Sequence, residues 1–367
     1  MSNPISSMSA AQLKSALHDD QEIALLDARE EVPFDARHLL LASCVPLGRL
    51  ETLVATLVPR LETRVVWCDD GERDAAGRGL AARAASRMAA LGYTDVHVLD
   101  GGIAAWEAAG YRIYSGVHVP SKAFAEVVEH EAGTPHISAA ELKALIDSKA
   151  DIAIYDTRSY EEYHGNSIPG AVSVPGAELV YRFKDLTPSA DTLVVVNCGG
   201  RTRSIIGAQA LINAGVPNRV VSLKNGTQDW HLAGYEVVKG ATRRPPAVSE
   251  AGLEAARAGA ARVAGLCDIK RVDRATLEAW RRDGARTLYQ IDVRTEEEYR
   301  DGHVSGAKHV AGGQLVQETD RHIAVWGARV VLLDNDGVRA TLTASWLKQR
   351  GWEVVIADNE TAGGATE

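Results

Sequence analysis

The sequence predicts an α/β protein in which one domain occurs three times in tandem, each copy a parallel sheet flanked by helices. One landmark is the motif Asp-x-Arg after an apolar run, and the other is an apolar strand that ends in a polar loop. The two landmarks lie at Asp27, Asp156 and Asp292, and at Cys68, Cys198 and Asp334. The first landmark advances by 129 and then 136 residues, and the second by 130 and then 136. Because both advance together, a repeated domain explains them better than chance.

Helices and strands alternate most clearly in the second copy. Its first helix is predicted from Ser138 at the N-cap and Glu141 three residues later, which form a capping box. The segments DIAIYD and TLVVVNC are almost entirely apolar, as expected for strands of a sheet that is buried on both faces. A further helix is predicted from about Ser204 to Ala214, ended by Gly215. This alternation favours a parallel sheet.

Domain boundaries follow from the repeat and from composition. We expect domains at residues 1–116, 134–240 and 267–367. The segments between them, 117–133 and 241–266, are predicted to be linkers, and the second contains an Ala-rich surface helix. The third copy lacks a counterpart to the closing Gly-Gly-x-x-x-Trp segment of the first, so we expect its C-terminal part to be degenerate or incomplete.

Composition excludes several classes of protein. The net charge of −9 and the pI of about 5.7 give no basic surface for nucleic acid. No apolar run approaches the roughly 18 residues that would span a membrane, and residues 1–10 do not form a signal peptide. The sequence has four cysteines, Cys44, Cys68, Cys198 and Cys267. They are too far apart in sequence to indicate a disulfide framework or a metal site. We therefore expect a cytoplasmic protein without metal or cofactor, and leave open whether it forms a homo-oligomer.

The loop after Cys198 has the composition of an anion-binding site. Glycines at 199 and 200 let the backbone curl tightly, so that several N–H groups can point inward. The following helix adds its positive N-terminal end, and Arg201 and Arg203 add full charges. Cysteines in such surroundings have pKa values of roughly 3.5–7.5 instead of about 8.5. The sequence therefore predicts that Cys198 is a nucleophile, although a lone cysteine is often a small buried apolar residue.

With these features the repeat resembles a rhodanese domain, and the chain resembles bacterial multi-domain rhodaneses. The matching segments of the second copy are Asp156-x-Arg158, Glu162-Tyr163, Ile168-Pro169-Gly170-Ala171, the cysteine loop ending in Arg203-Ser204, and Gly226 with Trp230. The resemblance implies a thiosulfate sulfurtransferase. A donor such as thiosulfate loses its outer sulfur to Cys198, which becomes a persulfide, and cyanide, a thiol or a protein then accepts that sulfur.

The resemblance also assigns a role to each matching residue. Cys198 is the catalytic nucleophile, and Asp156, Arg158 and Glu162 are structural support. Arg203 is expected to tie the loop to the scaffold through Asp156, and Arg201 to hold an anionic donor. The substrate-binding residues are Gly199, Gly200, Arg201, Thr202, Arg203, Ser204 and Trp230. Of these, Trp230 is expected to be a wall or core residue and not a catalyst. The family often has Gly-His where this chain has Asn166-Ser167, and Gly where it has Arg201, which leaves the donor open.

The flanking copies are expected to be inactive. Asp334 stands where the third copy should have its nucleophile, and a carboxylate cannot carry a sulfane sulfur, although it could sit in the anion site. The first copy has Cys68, followed by a longer loop with four acidic residues that would raise the pKa of a thiol by like-charge repulsion. Cys44 and Cys267 are expected to be bystanders.

Two other functions stay open at this point. Largely inactive rhodanese folds could serve as a protein-binding or regulatory module. A cysteine-based phosphatase or arsenate reductase would share the fold type, but usually needs a longer loop after the cysteine to hold four oxygens. The short loop at Cys198 favours a single sulfur atom.

Overall fold

A computed structural model describes residues 5–75 and 77–358, which form two compact units. The first unit contains the chain up to Pro120 together with Ala275–Tyr289 and Glu318–Val330. The second contains Ser121–Arg274, Gln290–Gln317 and the chain from Val331 onward. The third repeat thus contributes segments to both units. In the described residues no helix combines the length and apolar character that a membrane span requires.

The first repeat builds a sheet in the order β1-β5-β4-β2, with β3 also on β2. Its strands are β1 (Ser6–Met8), β2 (Ile23–Asp27), β3 (Ser43–Cys44), β4 (Arg64–Cys68) and β5 (Val96–Leu99). Its helices are α1 (Ala10–Ala16), α2 (Glu31–Ala36), α3 (Leu50–Leu57), α4 (Leu80–Ala90) and α5 (Gly102–Ala108), with a 3₁₀ turn at Leu47–Arg49. These strands pair in parallel, as the sequence predicts.

The second repeat follows helix α6 (Val119–Ala132) and has the sheet order β6-β10-β9-β7-β8, all parallel. Its strands are β6 (His136–Ile137), β7 (Ile152–Asp156), β8 (Val172–Ser173), β9 (Leu193–Asn197) and β10 (Val220–Leu223). Its helices are α7 (Ala139–Asp147), α8 (Tyr160–Gly165), α9 (Glu178–Leu186), α10 (Thr202–Ala214) and α11 (Gly226–Leu232). The predicted capping box on Ser138 and the helix end at Gly215 are both confirmed.

The third repeat follows helix α12 (Glu250–Cys267) and has the sheet order β11-β16-β15-β12-β13. Its strands are β11 (Arg271–Val272), β12 (Leu288–Asp292), β13 (Lys308–His309), β14 (Val325–Trp326), β15 (Arg329–Leu333) and β16 (Glu353–Ala357). Its helices are α13 (Arg274–Arg282), α14 (Glu296–Asp301), α15 (Gly312–Gln317), α16 (Thr319–His322) and α17 (Arg339–Gln349). Strand β14 joins the sheet of the first repeat, antiparallel to β2. The expected incomplete C-terminal part involves residues 359–367, which lie outside the described residues.

The two predicted linkers are helices that help to form the core of the second unit. Ala125 and Val128 of α6 are buried in an apolar cluster with residues of α9 and α10. Ala256 and Ala260 of α12 join the same cluster. At Gly259 an added Cβ would lie 3.1 Å from the Cβ of Ala214, so small residues allow α12 to approach α10 closely. The prediction of a helix in 241–266 is confirmed, but one face of that helix is buried.

Candidate active site

Cys198 lies directly after β9, where that strand pairs with β7, and its side chain is only 2% exposed. Its thiol donates to Ser204 Oγ at 3.6 Å, and Ser204 Oγ donates to the carbonyl of Arg201 at 2.8 Å. Helix α10 begins at Thr202, four residues after the cysteine. The sulfur therefore lies beneath a short loop, against a hydroxyl group and close to a helix N-terminus.

The start of α11 supports the loop from below. Thr227 donates from its amide to the carbonyl of Cys198 at 2.9 Å and from its hydroxyl at 3.1 Å. The amide of Gln228 donates to the carbonyl of Gly199 at 3.1 Å. Gly226 has φ +54°, and an added Cβ would lie 2.1 Å from the Cys198 carbonyl oxygen. Glycine is therefore required there for both its conformation and its size. Above the loop, Gly200 faces open space.

Asp156 and Arg158 form the predicted scaffold. Arg158 donates to both carboxylate oxygens of Asp156 and to the backbone carbonyl of Asn166 at 2.6 Å. Asn197, just before the cysteine, donates to Asp156 at 3.0 Å. The side chains of Asp156 and Arg158 are almost fully buried, so their mutual charge compensation matters. Gly199 lies beside Arg158, with a position for an added Cβ 3.6 Å from Arg158 Cδ.

Arg203 ties the loop to the scaffold through Glu162, and the expectation that it would use Asp156 is wrong. Its guanidinium donates to the two Glu162 carboxylate oxygens at 2.6 and 2.7 Å. Burial acts to raise the pKa of Glu162, but the hydrogen bond and charge of Arg203 outweigh it and lower that pKa. Asp156 is already saturated by Arg158 and Asn197, which explains why Arg203 pairs elsewhere.

Arg201 extends away from the scaffold to helix α6. Its guanidinium pairs with Glu129 and, at 3.0 Å, with Glu126. Glu129 also lies 3.3 Å from His136. The role of Arg201 in holding a donor stays a prediction. Sequence reasoning misses these two glutamates, because they lie in the predicted linker 117–133 and no motif connects them with Arg201.

Trp230 lies in the core, which is one of the two places that the sequence predicts for it. Its side chain is 1% exposed, and it packs in an apolar cluster with Leu142 and Val195. Its indole N–H donates to the carbonyl of Glu236 at 2.9 Å. A side chain that is closed off from solvent and satisfied by the backbone is a core residue, and we assign Trp230 that role.

The loops of the three repeats can be matched through a shared backbone contact. In each repeat, the amide after the aspartate of Asp-x-Arg donates to the last residue of the neighbouring strand. These donors are Ala28, Thr157 and Val293, and their acceptors are Cys68, Asn197 and Leu333. Cys68 is therefore the counterpart of Asn197, and the counterparts of Cys198 are Asp69 and Asp334.

The sequence-based match of Cys68 with Cys198 is therefore wrong by one residue. The spacing in the sequence indicates the correct match, because Asp156 follows Asp27 by 129 residues and Cys198 follows Asp69 by the same number. The α5 contact agrees, since the amide of Ile103 donates to the carbonyl of Asp69 as Thr227 donates to Cys198. Cys68 is fully buried, and burial, with Asp27 adding to it, raises the pKa of its thiol well above the ordinary value.

Both flanking aspartates place their carboxylates inside their own loops. Asp69 accepts from the amides of Gly71 and Ala81 at 2.9 and 2.8 Å. Asp334 accepts from the amides of Gly337 and Ala340 at 3.0 and 2.9 Å. The third repeat thus holds the carboxyl group of Asp334 in its loop, at the place that the sequence allowed for it. Burial and nearby Asp336 raise the pKa of Asp334 to about 7.

In the second unit, one arginine of the second repeat contacts a polar side chain of the third repeat, and the corresponding arginine of the third repeat contacts one of the second. Arg339, the counterpart of Arg203, is fully buried and pairs with Glu298 of its own repeat and with Glu178 of the second repeat at 2.9 Å. Gln314 is the counterpart of Glu178, and its side-chain oxygen lies 3.4 Å from Arg203. Arg203 and Arg339 are 136 residues apart, as are Glu178 and Gln314, but the sequence does not show that these residues meet.

The chain belongs to the rhodanese-like domain family, whose model matches residues 9–109, 138–233 and 274–361. It is similar to a thiosulfate sulfurtransferase of Pseudomonas aeruginosa, with 48% identity and a TM-score of 0.92, over 96% of this chain and 66% of that chain. An HTH-type transcriptional regulator of Mycobacterium tuberculosis (strain ATCC 25618 / H37Rv) is 34% identical over 91 residues. The protein YrkF of Bacillus subtilis (strain 168) is 29% identical over 102 residues.

These similarities cover only part of the related proteins. The matched segments make up 25% of this chain and 39% of the regulator, and 28% of this chain and 54% of YrkF. The chain likewise spans less than two thirds of the length of the Pseudomonas protein.

Proposed function

We propose that this protein is a sulfurtransferase whose sulfur carrier is Cys198. The observation that carries the proposal is the position of this cysteine. At the same place, each flanking repeat holds a carboxylate that accepts from one loop amide and from one amide in the first turn of the following helix. By correspondence, the amides of Arg201 and Ser204 are the groups available to an anion on Cys198. The similarity to the Pseudomonas thiosulfate sulfurtransferase supports this assignment.

The proposed reaction has two steps. The Cys198 thiolate attacks the outer sulfur of thiosulfate or a similar donor, the S–S bond of the donor breaks, and sulfite leaves with the electron pair. The terminal sulfur of the resulting persulfide bears the negative charge, which the loop amides and the N-terminus of α10 stabilise. Cyanide or a thiol then attacks that sulfur, and the Cys198 thiolate leaves and is regenerated.

Asp69 and Asp334 restrict the reaction to the middle repeat, because a carboxylate oxygen cannot carry the sulfur. The described cysteines are all free thiols, which agrees with a reducing cytoplasm. That thiosulfate can serve as a donor, and that the protein acts in the cytoplasm, are parts of this proposal.

Substitution of Cys198 tests the proposal. After incubation with thiosulfate, mass spectrometry should find one added sulfur atom on the Cys198 peptide. Cys198→Ser should abolish both this sulfur and the formation of thiocyanate from cyanide. Cys68→Ser is the matched control, since it changes a buried cysteine one position out of register and should keep most of the activity. Loss of activity in Cys68→Ser with retention in Cys198→Ser would reverse the assignment.

A further inference from the structure

The loop that holds Cys198 carries almost no uncompensated positive charge. Its network contains three arginines, Arg158, Arg201 and Arg203. Four carboxylates pair with these arginines: Asp156 with Arg158, Glu162 with Arg203, and both Glu126 and Glu129 with Arg201. The formal sum of these side chains is −1, so the attraction for an anion comes mainly from loop amides and the helix N-terminus.

Helix α6 fixes the two glutamates that neutralise Arg201. Ala125 and Val128 anchor the helix in the core, and Glu126 and Glu129 lie three residues apart on a shared face. The Arg201 side chain is one third exposed, the Glu129 side chain 17% and the Glu126 side chain 54%, so solvent screens the charge of Glu129 least. Helix α6 lies outside the segment that matches the family, which begins at residue 138.

We infer that Glu126 and Glu129 determine donor specificity by disfavouring a dianionic donor. Thiosulfate carries two negative charges to a loop where two carboxylates already hold Arg201. A persulfide of a small uncharged thiol carries at most one negative charge, so the carboxylates of Glu126 and Glu129 repel it less. The inference rests on the proposed sulfur transfer and narrows its donor to an alkyl persulfide in preference to thiosulfate.

The persulfide step uses the same nucleophile. The Cys198 thiolate attacks the outer sulfur of R–S–SH, a new S–S bond forms to Cys198, and the donor S–S bond breaks. The leaving thiolate R–S⁻ keeps the electron pair and takes up the proton of the donor, so that R–SH is released. No oxidant or reductant is consumed.

The test compares thiosulfate with the persulfide of a small uncharged alkyl thiol as donors for the full chain. In the variant Glu126→Gln/Glu129→Gln, KM for thiosulfate should fall by about tenfold, with kcat and the KM for the persulfide nearly unchanged. The salt dependence of kcat/KM for thiosulfate should also change sign: added salt should raise it in the wild type, whose loop network sums to −1, and lower it in the variant, whose network sums to +1. The matched control is Glu131→Gln, an exposed carboxylate on α6 that pairs with His130.

Two further variants separate charge from structure. Glu129→Asp keeps the charge and should retain the wild-type preference between donors. Arg201→Gln leaves the two carboxylates uncompensated and should raise KM for thiosulfate. The inference is overturned if the double variant leaves KM for thiosulfate and its salt dependence unchanged, or shifts both donors equally. Failure of both donors to load Cys198 in the wild-type chain would instead overturn the proposed function.

Discussion

At the scale of single residues, one side chain separates the middle loop from the loops beside it. The carboxylates of Asp69 and Asp334 each accept hydrogen bonds from two backbone amides. At the same place, Cys198 has a thiol. A thiol sulfur is a weak hydrogen-bond acceptor. We therefore expect the middle loop to depend more on its contacts with the start of α11, where Gly226 leaves no space for a Cβ beside the Cys198 carbonyl.

Gly226→Ala should displace this loop. The new Cβ would overlap the Cys198 carbonyl, and a positive φ costs alanine about 1–2 kcal/mol. A shift of the nucleophile by about 1 Å lowers a rate by about 100-fold, which is the loss we expect in thiocyanate formation. The control is Gly234→Ala, where φ is also positive but nothing lies within 4 Å. Equal activities of the two variants would refute the claim that close contact at Gly226 positions the loop.

The sequence predicted the residues of the loop well and their partners poorly. Cys198, the glycines and Ser204 follow one another along the chain, so a motif contains them. The pairing of Arg203 with Glu162, and of Arg201 with Glu129, joins segments 41 and 72 residues apart. Several acids were available to each arginine, and only packing decided which one it reached.

At the scale of elements, the N-terminus of α17 is organised by the ion pairs of Arg339. Its guanidinium donates to Glu298 of α14 at 2.8 Å and to Asp336 at 2.7 Å. Burial acts to raise the pKa of Glu298, but Arg339 outweighs it and lowers that pKa from 4.5 to about 2. The ionised form is therefore favoured by folding, and the stability that it contributes depends on pH.

Glu298→Gln should reveal this dependence. The contribution of Glu298 is complete above its unfolded pKa of 4.5 and is lost as the pH falls toward about 2. The difference in urea midpoint between wild type and variant should therefore be constant near neutral pH and shrink below about pH 4.5. Glu297→Gln, at an exposed neighbour, should show no such trend. A difference that widens on acidification would contradict the assigned role of Arg339.

Elements that repeat were predicted more reliably than elements that occur once. Strands β7 and β9 and helices α7 and α10 follow from apolar runs and caps. Helix α6 lies between two copies of the repeat, where the sequence predicts a linker. Its buried residues are small, and Ala125 is fully buried although alanine gives little hydrophobic signal. The need to cover α9 and α10 decides its position.

At the scale of the whole molecule, the second and third repeats depend on each other through Arg339. This side chain is fully buried within the second unit among the carboxylates of Glu178, Glu298 and Asp336. Removal of one partner from a buried ion pair leaves uncompensated charge, which costs about 3–5 kcal/mol. Glu178 comes from the second repeat, so the loss should spread beyond the third.

Arg339→Ala should therefore destabilise the second unit as a whole. We expect the free energy of unfolding to fall by about 3–5 kcal/mol, with sulfur transfer at Cys198 lost at the same urea concentration. Tryptophan fluorescence and activity, measured on the same samples, check this. Arg300→Ala removes an exposed arginine that pairs with Glu296 and should cost at most about 1 kcal/mol. Activity that survives the unfolding of the third repeat would show that the repeats are independent.

The threefold repeat and its parallel sheets were predicted from two recurring motifs, and the family match and the sheets confirm them. The division of the third repeat between two units was not predicted. A repeated sequence shows that three copies share a fold. Which copies pack against each other depends on their surface residues, and the repeated motifs do not include these. Strand β14 illustrates this, because a two-residue segment at Val325 pairs with β2 of the first repeat.

The carboxylates inside the flanking loops have a consequence for the order of events during turnover. In those loops, carboxylate oxygens accept from backbone amides whether or not a substrate is bound. In the middle loop, the corresponding amides gain a second acceptor atom only when the outer sulfur arrives, and lose it when that sulfur is transferred. If Cys198 carries sulfur as we propose, the six residues after it would be held more firmly in the loaded form than in the resting form.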